Sequence, residues 1–229
     1  MTDLAHYGPW AVIAGGSEGV GAEFALQLAQ AGVNLVLIAR KPGPLEETAQ
    51  QARAKGVEVR TLAVDLTSAQ SISVITEATS DLEVGLLIYN AGANSYGHAF
   101  TEGDLSGFLG VLDLNVNAML ALTHHFALPM KQRRRGGILL VGSLAGYVGT
   151  ATEAIYGGAK AFGRIFAEGL WSELRDYDVH VLELVLGVTR TPAMERAGLR
   201  FDVPSLTVGE PAEVAREGFA LLAPGPARL

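Results

Sequence analysis

The sequence predicts a doubly wound α/β fold, a mostly parallel sheet flanked by helices on both faces and formed as one domain over residues 1–229. Three observations predict it. Short apolar runs alternate with longer helical patterns, in a β-α order repeated six times. The apolar runs are dense in Val, Leu and Ile with little polar alternation, as strands buried on both faces of a parallel sheet are. Each connection between them has room for a helix, which a parallel crossover requires.

The elements follow in order. WAVIA (10–14) reads as the first strand and AEFALQLAQA (22–31) as the first helix, with Phe24, Leu26, Leu28 and Ala29 as its apolar positions. NLVLIAR (34–40) is the second strand, followed by a polar helix over 44–55 and a third strand, VEVRTLAV (57–64). Another helix begins near Ser68, VGLLIYNAG (84–92) is the fourth strand, and a long helix covers 104–131. GGILLVGS (136–143), a helix over 153–176 and the strand DVHVLELVLG (178–187) come next, and a short helix over 210–222 closes the pattern. No linker, repeat or low-complexity segment divides it.

Composition limits the function. At 229 residues and 49% apolar, the chain can bury a sizeable core. A formal net charge of −7 argues against a general binder of nucleic acid or anionic membranes, so neither partner is expected. The one basic run, KQRRR (131–135), ends a predicted helix, where cations suit the C-terminal dipole and stay solvated. The absence of cysteine excludes disulfides, thiolate catalysis and zinc–thiolate sites. The start, MTDLAHYGPW, lacks the basic segment and apolar core of a signal peptide, and no apolar run approaches a membrane span, so a cytoplasmic location is expected. His124 and His125 are adjacent on a helix and diverge by about 100°, so no metal site is expected there.

In an open parallel sheet, ligands sit at the carboxyl ends of the strands. The residues after each strand are therefore the place to look. After the first strand comes GGSEGVG, with Gly15, Gly16, Gly19 and Gly21 interleaved by Ser17, Glu18 and Val20. A glycine-rich turn between strand and helix lets a pyrophosphate approach the backbone and meet the helix N–H groups. A turn needing flexibility alone is the competing reading. The second strand ends in Ala39-Arg40 with no acid, which favours the 2′-phosphate of NADP(H) over the free ribose of NAD(H). Glu18, inside the glycine turn, would repel that phosphate if it sits near it.

Tyr156 and Lys160 are four apart in YGGAK and share a helix face. A free phenol has a pKa of about 10 and is a poor base at neutral pH, but a nearby ammonium favours the phenolate. The pair suits proton exchange in a hydroxyl–carbonyl interconversion. Ser143, at the end of the fifth strand, is placed to hydrogen-bond a substrate carbonyl as charge develops on it. Asn115, inside the long helix in LDLNVNA, needs a polar partner if it packs on the core. Tyr96, His98 and Phe100 follow the fourth strand and read either as pocket lining or as plain loop.

With these motifs in place, the chain resembles the short-chain dehydrogenase/reductase family over about residues 9–223. The matching stretches are AGGSEGVG (14–21), VDL (64–66), YNAG (89–92), LNVNA (114–118), VGS (141–143) and YGGAK (156–160). The resemblance implies a Rossmann-type fold and a catalytic tetrad of Asn115, Ser143, Tyr156 and Lys160. Tyr156 would be the general acid/base, Lys160 would lower its pKa and bind the nicotinamide ribose, Ser143 would steady the substrate oxygen, and Asn115 would hold a helix kink and a water. It further implies Asp65 and Leu66 at the adenine, Asn90, Ala91 and Gly92 beside the ribose and nicotinamide, and Val188 and Thr191 at the carboxamide and phosphate.

Residues 188–209 correspond to the family's substrate loop, and Met194, Leu199, Phe201 and Leu206 within it suit a hydrophobic alcohol or ketone. Ser143, Ala145, Tyr96 and Leu186 are the candidate substrate contacts. A homodimer or homotetramer built on the helices bearing Asn115 and Tyr156 is also implied. Three departures stand out: Ala14 replaces the usual Thr, Leu186-Gly187 replaces Pro-Gly, and the chain ends at LLAPGPARL without a recognisable seventh strand. The expected function is an NADP(H)-preferring oxidoreductase that interconverts a secondary alcohol and a carbonyl. A non-catalytic NAD(P)-binding sensor or structural protein, and a dehydratase or epimerase on the same scaffold, are the alternatives.

Overall fold

Five consecutive buried residues, Trp10–Ala14 (β1), form the middle of the sheet. A strand buried on both faces needs parallel neighbours on both sides, and β1 has them in β2 (Asn34–Ala39) and β4 (Val84–Tyr89). The computed structural model describes residues 4–196, 198–202, 206–223 and 227–228. It adds β3 (Val59–Ala63), β5 (Gly136–Ser143), β6 (Val179–Leu186) and β7 (Ala227–Arg228). The strand order is β3-β2-β1-β4-β5-β6-β7, and all pairings are parallel. The expectation that the sheet lacks a seventh strand is thus corrected: two residues pair with Glu183 and Leu184 of β6. Such a short edge strand carries no hydrophobic pattern of its own.

Helices α1 (Gly19–Gln30), α2 (Pro42–Arg53), α3 (Ser71–Ala78), α4 (Leu105–Leu112), α5 (Ala118–Arg133), α6 (Ala154–Leu174), α7 (Pro192–Arg196) and α8 (Pro211–Leu222) surround the sheet. One face packs α1 and α8 on the strands, through Phe24 and Leu28 against Phe219 and Leu222. The Phe24 and Phe219 rings meet edge to face with centroids 5.2 Å apart. The opposite face packs α5 and α6 through Met119, Leu122, Phe126, Ala167 and Leu174.

The differences from the sequence reading have local causes. The fourth strand stops at Tyr89 because the next two N–H groups, of Asn90 and Ala91, both turn onto the Ala14 carbonyl, at 2.9 and 2.8 Å. The third helix starts at Ser71 because Asp65 folds back on Thr67 N and Oγ1, at 3.0 and 2.8 Å. The long helix is interrupted by one wide turn, Asp113–Asn117. There the Leu114 carbonyl accepts from the Tyr89 phenol at 2.6 Å, and the Asn115 amide takes the Val111 carbonyl at 2.9 Å. Side chains substitute for the ladder where it widens. The basic run is less solvated than expected: Arg133 donates to the Val84 carbonyl, Arg134 donates to the Asp176 carbonyl at 2.7 Å, and Arg135 pairs with Glu83 at 2.6 Å.

The stretch Leu105–Arg133 is long and apolar enough to cross a membrane by length and composition, contrary to the sequence expectation. Its middle, however, is tied to β4 by the Tyr89–Leu114 bond and to the loop after β4 by the bond from Asn115 to Ala93 O. Its exposed apolar residues, Leu105, Leu109 and Leu128, lie on the same side of the sheet as exposed Phe162 and Ile165 of α6.

Phe219→Ala removes one ring of the buried edge-to-face pair. It is expected to cost about 3–5 kcal/mol, read as a lower denaturation midpoint in urea with an unchanged slope.

Candidate active site

The first turn after β1 is built around one carbonyl. Gly15 has a positive φ of +83°, its N–H bonds to Ile38 O at 2.8 Å, and its carbonyl accepts from the Asn90 amide at 2.9 Å. Helix α1 then passes so close that a Cβ on Gly21 would lie 1.9 Å from Gly15 O. Only glycine fits there, so the turn is locked and the start of α1 is held against it. The Ser17 carbonyl accepts from Thr48 Oγ1 at 3.1 Å, which ties α2 to the same turn.

A cleft of about 340 Å³ runs over this turn. It begins beyond the end of β2 at Arg40 and Lys41 and reaches Ser143, Tyr156 and Leu186 at the ends of β5 and α6–β6. With strands about 4.8 Å apart, the three steps from β2 to β5 span about 14 Å, so the cleft suits an extended ligand. Glu18 lines it but is paired with Arg196 of α7, one contact being 2.9 Å. Arg196 thereby neutralises the carboxylate that the sequence places near a phosphate.

At the other end, four side chains converge. Lys160 is buried on α6 and donates to the Val141 carbonyl at 2.9 Å. Its Nζ is 5.7 Å from the centre of the Tyr156 ring. Asn115 is 3% exposed, and its amide also donates to Ala93 O at 3.0 Å. A Cβ on Gly92 would lie 2.7 Å from Asn115 Oδ1 and 2.9 Å from Lys160 Nζ, so the bare backbone of Gly92 closes this corner. Ser143 Oγ accepts from Ala145 N at 3.2 Å, which fixes the hydroxyl at the strand end.

Burial sets the protonation of this corner. It pulls Lys160 down to about 8, with Glu183 opposing the fall. It pushes the Tyr156 phenol up, offset by a hydrogen bond from Ser143 and reinforced by Glu153. Burial thus outweighs the expected lowering of Tyr156 by Lys160. The ammonium is turned to Val141 O, and burial leaves the phenol above its ordinary value.

Most residues singled out by sequence line the cleft: Gly15, Ser17, Glu18, Gly19, Val20, Arg40, Leu66, Asn90, Ala91, Gly92, Ser143, Tyr156, Lys160, Leu186 and Thr191. Others do not. Gly21 packs beneath the turn, and Asn115 lies behind Lys160. Asp65 spends its carboxylate on Thr67, which holds it below the usual carboxylate range, while Val64 and Leu66 face the cleft. Val188 is replaced in the lining by Gly187 and Thr189. Tyr96 is a correction as a substrate contact: its ring packs on Phe108 at 5.2 Å, and its hydroxyl accepts from Asp104 N at 2.8 Å. Ala145 lies outside the lining as well. Of the substrate loop, residues 197 and 203–205 lie outside the described residues. Met194 of the expected substrate loop lines the cleft, whereas sequence reasoning missed Lys41, readable as the second cation of ARK, and Thr189 and Arg196, whose approach depends on the loop.

Comparison with known proteins follows the same lines. The family model for short chain dehydrogenase matches residues 9–199. The chain is 30% identical over 217 residues to a 7beta-hydroxysteroid dehydrogenase of Clostridium sardiniense, covering 94% of this chain and 83% of that protein. It is 37% identical over 202 residues to a very-long-chain 3-oxoacyl-CoA reductase of Aspergillus clavatus, covering 84% of this chain but only 58% of the fungal protein. Among solved structures, a short-chain dehydrogenase from Sphingobium yanoikuyae in complex with NADPH superposes with a TM-score of 0.85 at 31% identity, covering 93% of this chain and 84% of that one.

A methyl at Gly21 has no rotamer to escape into, since it meets backbone. Gly21→Ala is expected to open the turn and weaken nucleotide binding at least tenfold, measured by titrating the quench of tryptophan fluorescence.

Proposed function

This chain belongs to the short-chain dehydrogenase family, and we propose that it is an NADP(H)-preferring oxidoreductase of a bulky, mostly apolar secondary alcohol or its ketone. The coarse reaction, NAD(P)-dependent interconversion of alcohol and carbonyl, is that of its family and relatives. One observation carries the reading: the corner of Ser143, Tyr156 and Lys160 opens into the same cleft as the glycine turn and Arg40. The residues fit a dinucleotide. The turn is bare where a pyrophosphate needs backbone N–H groups, and Asn115 Oδ1, buried without a partner among the described residues, marks a polar corner beside Gly92.

A dinucleotide held along the glycine turn, Asn90 and Lys160 would supply or accept the hydride at the carbonyl carbon. The chain does the rest. In reduction, Ser143 Oγ donates to the carbonyl oxygen, and Tyr156 delivers a proton to that oxygen as negative charge develops there. The raised phenol suits this donor role. Lys160, as an ammonium, steadies the phenolate left behind, and Asn115 keeps the wide turn of the long helix beneath it. In oxidation the same proton returns to Tyr156.

Two features support the phosphate preference. Arg40 and Lys41 stand at the β2 end of the cleft with no ion pair among the described residues, and Glu18 is neutralised by Arg196. The NADPH complex of the Sphingobium relative agrees with this choice. An apolar substrate is supported by Met194 and Leu186 in the lining and by exposed Leu144, Tyr147 and Val148 just after Ser143. Exposed Leu105, Leu109, Leu128, Phe162 and Ile165 support self-association as a dimer or tetramer through the α4–α6 side.

Titration with NADPH and NADH is expected to show at least tenfold tighter binding of NADPH, about 1.4 kcal/mol, with Arg40→Ala erasing the gap. Equal affinities in wild type would refute the preference. Tyr156→Phe is expected to bind nucleotide normally and to lose at least 99% of turnover on a panel of bulky ketones. Retained turnover would remove Tyr156 from the proton step.

A further inference from the structure

Strand β6 carries a carboxylate where its neighbours are apolar. Glu183 shares a sheet face with Val179 and Val181, the face covered by α6, and is 1% exposed. A charge so placed is costly unless something compensates it. Its Oε2 has no hydrogen-bond partner among the described residues. Room for the carboxyl comes from small neighbours. A Cβ on Gly142 would lie 2.3 Å from Glu183 Oε1, and Gly142, Ala159 and Gly163 line a void of about 10 Å³ together with Asn115, Lys160 and Glu183. That is the size of one water. The two acceptors left without partners, Glu183 Oε2 and Asn115 Oδ1, belong to residues that line it, and so does the Lys160 ammonium donor.

We propose that Glu183 is a positioning residue for Lys160: its buried carboxylate, set across a one-water void, holds the Lys160 ammonium charged and in place. The charges around the carboxylate fit this role. Lys160 and Arg164 of α6 favour its ionised form, while Glu168 of α6 opposes it, and Tyr147 faces it from the loop after β5. Burial nevertheless pushes Glu183 up to about 7. Glu183 in turn is the group that resists the fall of Lys160. Each of the two buried charges therefore depends on the other. Removing the carboxylate leaves the ammonium alone in the core, where it sheds its proton at lower pH.

The inference rests on Lys160 serving the reaction as an ammonium. Glu183→Gln keeps the shape and removes the charge. With lysines labelled at Cε, the Lys160 midpoint in the nucleotide-free protein is expected to fall by about one pH unit in this variant. The alkaline limb of kcat/KM for ketone reduction is expected to fall with it, while the KM for nucleotide stays within twofold. An unmoved Lys160 midpoint or an unmoved limb overturns the proposal. If the variant does not fold, labelled carboxyls in wild type decide it. Glu183 is expected to titrate above pH 6, with a matching step in the Lys160 signal, and a Lys160 signal blind to the Glu183 step overturns the pairing. Absence of turnover in wild type would count against the oxidoreductase reading and not against the coupling, which the nucleotide-free titrations decide alone.

Discussion

The structure is organised around an ammonium taken out of water. Lys160 lies inside the protein, and desolvation of such a group costs several kcal/mol unless nearby dipoles and charges replace its hydration. The Val141 carbonyl supplies one dipole at 2.9 Å, and Glu183 supplies the opposing charge. Both sit on neighbouring strands whose register places Glu183 beside Leu140. The requirement reaches further. Gly92 must lack a side chain because Asn115 and Lys160 fill its corner, and Gly142 must lack one because the Glu183 carboxyl does. One buried cation thus accounts for two glycines, a carboxylate in a core strand and an amide in a widened helical turn.

The other end of the cleft follows from sheet topology. Strand β1 lies between β2 and β4, so the chain leaves it toward one side and returns from the other, and a crevice opens where the direction reverses. The ends of β1 and β4 are bound together by Asn90, whose amide holds Gly15 O while its backbone N–H takes Ala14 O. The same residue that stops β4 therefore shapes the glycine turn. That is why the crevice continues without a step from the turn to the Gly92 corner, and why one extended ligand meets both.

The parts legible in sequence were those fixed by local pattern. The continuous Val/Leu/Ile runs placed six of the strands, and the residue types after each strand placed the glycine turn, Arg40, Ser143 and the Tyr156–Lys160 pair. What escaped was set by long-range packing. The two residues of β7 pair because β6 has a free edge, not because Ala227-Arg228 favours a strand. The widened turn at Asp113–Asn117 depends on Tyr89 reaching Leu114 O. Tyr96 looked like pocket lining until the Asp104 N–H claimed its hydroxyl. Glu183 left a readable trace, since a charge in mid-strand conflicts with burial on both faces. Locating its partner, however, required the pairing of β5 with β6 and the position of α6.

Charge at the mouth of the cleft bears on the cofactor choice proposed above. Glu18 is in the glycine turn, and a free carboxylate there would oppose a 2′-phosphate held by Arg40. Arg196, 178 residues away, removes that opposition by pairing with it. Asp65 is the other acid near Arg40, and its carboxylate is turned onto Thr67. With both acids engaged, Arg40 and Lys41 remain as the cations that face the β2 end of the cleft. The preference for a phosphorylated ribose proposed above therefore depends on α7 staying docked as much as on Arg40 itself. Because Arg40 is exposed, salt screens its attraction for a 2′-phosphate, so the proposed selectivity between the two nucleotides is expected to narrow as ionic strength rises.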